Sequence, residues 1–140
     1  MACAKVFVLS CIDPRFRHAT QEFVEQTFRV APEEYDHKTD AGGCRELKKE
    51  NFPGAAAWIE KNIEIGCMHH GTETIVLVNH LDCAYYGGSA AFPDAETELA
   101  THREDLESAR KILGMKFPDA AVMAFIVGKN NGQFQFERVV

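Results

Sequence analysis

The sequence predicts an α/β fold: an open, mostly parallel sheet of about four to five strands flanked by helices, with an antiparallel edge strand at the C-terminus. Three observations predict it. Short apolar runs ("VFVLS", "TIVLVN", "AAVMAFIVG") alternate with stretches whose apolar residues recur at helical spacing. The segments between those runs are long enough to carry helices, which implies parallel pairing through right-handed crossovers. Asn130-Asn131-Gly132 is a hairpin signal before a final alternating run. A length of 140 residues suits one domain, 1–140, and 46% hydrophobic residues with ten Phe suffice for a core.

In chain order, Lys5 to Ser10 is the first strand, apolar and β-branched. A helix follows near Arg15 to Phe28, with Phe16, Ala19, Phe23, Val24 and Phe28 on one face. Arg29 to Asp36 forms a loop with a turn signal at Ala31-Pro32, and a weak strand is expected from Tyr35 to Thr39. "DAGG", Asp40 to Gly43, is a tight turn, and the charged stretch Arg45 to Asn51 is irregular. Pro53-Gly54 opens a helix from Ala55 to Cys67 whose Ala55, Trp58, Ile59 and Ile63 share a face that Asn62 interrupts. Thr74 to Asn79 is the clearest strand. Asp94 N-caps a helix that runs to Leu113, with Glu96 and Glu98 in its first turn and Leu99, Leu106 and Leu113 facing inward. Ala120 to Gly128 is another buried strand, and Gln133 to Val139 is the strand that returns beside it.

The composition narrows the function. A net charge of −6 argues against a nucleic-acid partner. No apolar run is long enough to cross a bilayer, and residues 1–5 do not resemble a signal peptide. Five cysteines at irregular spacing suit free thiols or a metal site in a reducing cytoplasm better than a disulfide framework.

The unusual residues stand at two strand ends. Cys11 ends the first strand; His80 and Cys83 end the Thr74 strand. If those strands are neighbours, two thiols and an imidazole converge at the carboxyl edge of the sheet, where open α/β sheets bind ligands. Zn²⁺ favours such a donor set, and three protein donors leave the fourth position open, as catalytic zinc sites require. Two thiolates cancel the charge of Zn²⁺, so its water is harder to ionise and needs help from nearby groups. Asp13 can accept a hydrogen bond from a zinc-bound hydroxide, and Arg15 can hold Asp13 ionised and oriented across the stiff Pro14.

"CIDPR" followed by "HLDC" resembles the β-class carbonic anhydrases, whose signature is Cys-x-Asp-x-Arg and then His-x-x-Cys. The resemblance covers most of the chain, including the late helix, strand and hairpin. It implies that Cys11, His80 and Cys83 bind zinc and that Asp13 and Arg15 form the catalytic dyad. The reaction it implies is reversible hydration of CO₂ to bicarbonate by a zinc-bound hydroxide, in a cytoplasmic homodimer or a multiple of one, with hydrolysis of carbon disulfide or carbonyl sulfide as an alternative. "DAGG" stands where that family has an Arg-Asn-Ala-Gly turn, so Asp40, Gly42 and Gly43 are candidates to line the site. Thr39 and Asp40 replace the Arg and Asn, Ala84 stands where Gly usually follows the Cys, and the segment between Cys83 and the late helix is short.

Other readings stand beside it. The same zinc site with Asp13 as a fourth ligand would make a non-catalytic, zinc-stabilised binding or regulatory module. Cys11 and Arg17 satisfy the Cys-x₅-Arg spacing of cysteine phosphatases, but Asp13 would repel a phosphate, Pro14 removes a donor, and His80 and Cys83 are left without a role. Cys44 follows the glycine turn and is a further thiol within possible reach of the metal. Cys67, His69 and His70 are a second group of metal-ligand types, at a solvated helix end. His18 is either a proton relay or an exposed side chain, and Tyr85-Tyr86 and Phe92 either wall an apolar pocket or fill an interface.

Overall fold

A computed structural model of the chain describes residues 1–48 and 50–139. Lys49, within the charged stretch 45–51, and Val140 lie outside the described residues. The elements are β1 (Val6–Ser10), α1 (Pro14–Phe28), β2 (Tyr35–Thr39), α2 (Arg45–Lys48), α3 (Ala55–Ile65), β3 (Thr74–His80), α4 (Ala95–Lys116), β4 (Ala121–Asn130) and β5 (Gln133–Arg138).

The five strands form one sheet in the order β2-β1-β3-β4-β5. The first three pairings are parallel and β4–β5 is antiparallel, with Val127 opposite Phe136. This is the predicted architecture. β1 lies between β2 and β3, with Val8 opposite both His37 and Val76. The carboxyl ends of these three strands therefore lie side by side.

Strand alternation splits the core into two layers. Phe7, Leu9, Ile75, Leu77, Ala124 and Ile126 face α3 and α4, where they meet Ile59, Ile63, Leu106, Ala109 and Leu113. Val6, Val8, Val76, Val78, Phe125 and Val127 face α1, where Phe16 and Val24 cover them. The central strands are apolar at nearly every position because both faces are covered.

The element ends differ from expectation in instructive ways. β3 extends one residue, so His80 is held by the ladder itself, opposite Val127. The Arg45–Asn51 stretch is not wholly irregular: its first four residues form α2, which packs against α3 and α4. α3 ends at Ile65 and passes into a π-helical turn, Gly66–His70. α4 continues past Leu113 to Lys116, because Gly114 is one weak position in an otherwise helix-favouring run. Trp58 is not on the inner face of α3. Ile59 and Ile63 turn to the core, while Trp58 is 60% exposed and Asn62 caps its carbonyl at 2.7 Å.

Candidate metal centre

Cys11 follows β1, His80 closes β3, and Cys83 lies three residues on. Parallel pairing of β1 and β3, with Ser10 opposite Val78, brings these segments together. The two sulfurs and the His80 imidazole offer ligand atoms that all lie within 4.8 Å of one another, and the two Sγ atoms are 3.9 Å apart. Among the described residues this is the sole group of three such side chains placed to hold a metal ion.

The histidine is prepared for a cation. Its Nδ1–H donates to the Leu81 carbonyl at 2.7 Å, which leaves the lone pair on Nε2. Nε2 is buried and has no hydrogen-bond partner among the described residues, although Asp13 Oδ2 lies 3.7 Å away. Phe16 stacks on the ring with centroids 4.4 Å apart and fixes its plane. Burial opposes a charge on His80, but Cys11, the Leu81 carbonyl and Asp13 outweigh it and raise its affinity for a proton. Surroundings that favour a proton on Nε2 favour a metal cation there as well.

The thiols share one proton. A hydrogen bond from Cys83 lowers the Cys11 pKa against the opposing effect of burial, with help from His80 and from the N–H groups of Gly42 and Asp13. Cys83 is raised by that same bond and by burial. Cys11 is thus the thiol that ionises first, and a bound cation would displace the proton of Cys83. A buried orphan nitrogen beside two such thiols fits a soft divalent metal.

Asp13 N-caps α1 through Oδ1, which accepts from the Arg15 N–H at 2.9 Å. The Arg15 side chain closes a fork on the same carboxylate, with Nη2–Oδ2 at 2.7 Å and Nε–Oδ1 at 3.1 Å. This guanidinium is the largest cause holding Asp13 below the usual carboxylate range. Arg15 also spans to the other motif: Nη1 donates to Asp82 Oδ2 at 3.1 Å and Nη2 to the Asp82 carbonyl at 2.9 Å. Asp82 adopts φ 58°, held by its N–H on Glu98 Oε2 and by Ser89 N–H on its Oδ1, both at 2.9 Å. Glu98 is 4% exposed and also accepts from Ser89 Oγ. Asp82 and Glu98 were not among the predicted site residues.

The glycine turn contributes through its backbone. The Gly42 N–H donates to Cys11 Sγ at 3.4 Å. Gly42 sits at φ 79°, where a Cβ would meet Tyr85 Cδ2 at 2.7 Å; Gly43 sits at φ 61°, where a Cβ would meet Asn79 Oδ1 at 2.5 Å. Only glycine meets both conditions. The Asp40 carboxylate lies 3.2 Å from Lys38 Nζ.

None of the remaining candidates joins the three donors as a ligand among the described residues, although the N–H groups of Tyr85 and Tyr86 bond to Cys83. Cys44 is fully buried, its thiol raised mainly by burial. His70 pairs with Asp36 at 2.8 Å, and His18 is 85% exposed beside Glu22. Arg17 lies on the exposed side of α1. Tyr85 and Tyr86 donate to Glu46 and Asp105 at 2.7 and 2.6 Å.

Comparisons with known proteins place the fold and the family. Uncharacterized proteins of Rickettsia bellii and Rickettsia conorii are 29% and 28% identical to the chain over 128 residues, which is 89% of it and 77% and 68% of theirs. Among solved structures, one of two tetrameric beta-carbonic anhydrases from Sordaria macrospora superposes with a TM-score of 0.65 at 12% identity, over 97% of this chain and 81% of that one. A carbonic anhydrase from Glaciozyma antarctica gives 0.62 at 14%, over 100% and 85%. One from Streptococcus mutans gives 0.57 at 19%, over 99% and 83%. At these identities the structures show a shared fold. A family model described as "Putative carbonic anhydrase" matches residues 1–140, and the chain belongs to that carbonic anhydrase family.

Proposed function

We propose that the chain, as one domain, is a zinc enzyme for the reversible hydration of CO₂ to bicarbonate, with Cys11, His80 and Cys83 as metal ligands and Asp13 and Arg15 as the catalytic pair. The observation that carries this reading is the Asp13 carboxylate, 3.7 Å from the free His80 Nε2 yet held by three donors of Arg15. As a fourth ligand, Asp13 would have to leave that fork; as an acceptor beside the ligands, it is already in place. This favours a catalyst over a zinc-stabilised module.

Zn²⁺ at the three donors would supply Lewis acidity toward a water molecule. The side chains do the rest. Asp13, kept ionised by Arg15, presents an acceptor and selects an O–H donor at the position it faces. Asp82 fixes the far side of the guanidinium, so the carboxylate cannot swing with the exposed arginine. Phe16, with Phe134 edge-on at 5.7 Å, and the 58% exposed Ile12 give an apolar flank suited to an uncharged, apolar gas. Stopped-flow CO₂ hydration on protein of measured zinc content is the test. Activity that rises with zinc occupancy is expected; fully loaded protein without activity would overturn the reading.

The active form is a homodimer, and its compartment is the cytoplasm. No helix among the described residues is long and apolar enough to cross a membrane. Phe52, Trp58 and Met68 are 71%, 60% and 68% exposed, and among the described residues the outer edges of β2 and β5 have no strand beside them. Such edges and apolar side chains favour association. Light scattering at micromolar concentration should give twice 15.7 kDa; a mass near 15.7 kDa would count against the dimer.

A further inference from the structure

We infer that Asn79 is a positioning residue for the metal centre: from the opposite face of β3 it fixes the turn after β2 so that the Gly42 N–H donates to the Cys11 sulfur. This rests on the reading of Cys11 as a metal ligand, and it concerns a residue the predicted dyad and ligand set leave out.

Asn79 precedes His80 in β3, so its side chain leaves the sheet on the other face. It is 1% exposed, and all its polar groups are engaged. Oδ1 accepts the Cys44 N–H at 3.2 Å. Nδ2 lies 3.3 Å from the Tyr86 hydroxyl and 3.1 Å from His102 Nδ1. Tyr86 gives its own proton to Asp105 Oδ2 at 2.6 Å, so its oxygen must accept from Asn79. Lys48 in turn pairs with Asp105 at 2.9 Å.

These bonds allow one orientation of the amide. A flipped side chain would set its NH₂ against the Cys44 N–H. The amide must also meet a His102 Nδ1 that accepts, so His102 is neutral with its proton on Nε2. Burial supports this, because it lowers the His102 pKa to about 4. His102 is fully buried in α4, and its Nε2 has no partner among the described residues. A chain of bonds from α2 and α4 through Tyr86 and His102, buried at His102 and Asp105, thus aims Oδ1 of Asn79 at the turn.

The turn is placed by that oxygen. Gly43 packs so closely on Asn79 that a Cβ would lie 2.5 Å from Oδ1. The neighbouring Gly42 N–H reaches Cys11 Sγ at 3.4 Å. An N–H on a thiolate stabilises it against protonation and fixes the direction of its lone pairs. Groups that orient a metal ligand in this way typically change affinity or activity about 10- to 100-fold.

The test reads metal binding, not CO₂ hydration. Asn79→Leu keeps the volume and removes the acceptor; Asn79→Asp keeps Oδ1. Zn²⁺ affinity, measured by competition with a chromophoric chelator, should fall about 10- to 100-fold in Asn79→Leu. The thiolate-to-metal charge-transfer band of the Co²⁺-loaded protein should move to lower energy. Asn79→Asp should recover part of both, with the His102 proton moved to Nδ1 to meet the second carboxylate oxygen. Leu113→Ala, a core change in α4, should leave the band in place. Wild-type affinity and band position in Asn79→Leu would overturn the inference. So would the same band shift in Leu113→Ala. If Asn79→Leu does not fold, NMR of wild-type protein loaded with NMR-active cadmium decides: coupling between the metal and the Gly42 amide proton is expected, and its absence overturns the hydrogen bond on which the inference depends. Wild-type protein that binds metal in this way but does not hydrate CO₂ would sink the proposed function and leave this inference standing.

Discussion

Cys83→Ala is expected to yield folded protein that no longer holds its metal, with zinc falling from about one per chain to near none and CO₂ hydration lost with it. The side chain is 2% exposed and lies 3.9 Å from Cys11 Sγ, so the change removes one of three donors at the centre of the group. It also removes the hydrogen bond that is the largest cause of Cys11's lowered pKa. The remaining thiol then ionises less readily, and protons compete better with the metal. The fold should survive: Cys83 lies in the segment after β3, outside both packed layers, and only a small side chain is lost. Metal analysis after dialysis, with circular dichroism as the control for folding, checks the outcome. Full zinc occupancy in this variant would remove Cys83 from the ligand set.

What the sequence made legible was the part written in strand ends. "VFVLS" and "TIVLVN" are apolar at nearly every position because both faces of β1 and β3 are covered, and that pattern implies buried parallel strands; their being neighbours is seen in their pairing. From there the convergence of Cys11, His80 and Cys83 follows, and the Asp13–Arg15 fork follows from a two-residue spacing across a proline. What stayed hidden depends on contacts between distant segments. Asp82 is 67 residues from Arg15, and its φ of 58° has no local signal such as a glycine. Glu98 has the pattern of an acid in the first turn of α4, yet it is 4% exposed and holds Asp82 and Ser89 from below. Asn79 looks like the polar end of an apolar strand until α4 delivers His102 and Asp105 to its far side. Trp58 fits an inner face by periodicity, but Ile59 and Ile63 turn to the core while Trp58 stays 60% exposed with Lys38 of β2 over its ring. Periodicity gives the angle of a face, and tertiary packing decides how wide that face is.

Asp13→Asn should separate catalyst from zinc-stabilised module. We expect zinc to remain near the wild-type level while CO₂ hydration falls about 100-fold or more, the upper end of what loss of an orienting partner costs. The argument starts from charge. Two thiolates and a neutral imidazole cancel the charge of a divalent ion, so activation of a water there depends on a nearby acceptor. In the proposed mechanism Asp13 is that acceptor: its pKa is lowered chiefly by Arg15, and its side chain is 14% exposed and 3.7 Å from His80 Nε2. Asparagine keeps the size and, through its oxygen, the N-cap bond to the Arg15 N–H. It loses the charge-assisted fork, and if its oxygen stays on Arg15 it turns an N–H toward the site. A donor there no longer selects an O–H donor, so the protonation preference of the site is inverted and not merely weakened. The guanidinium keeps its bonds to Asp82, so the α1 terminus and the ligand positions should persist. Zinc content and hydration rate measured on the same preparation decide among three results. Loss of rate with zinc retained supports the pair. An intact rate removes Asp13 from the chemistry. Loss of zinc together with rate makes Asp13 a ligand, and the centre is then structural.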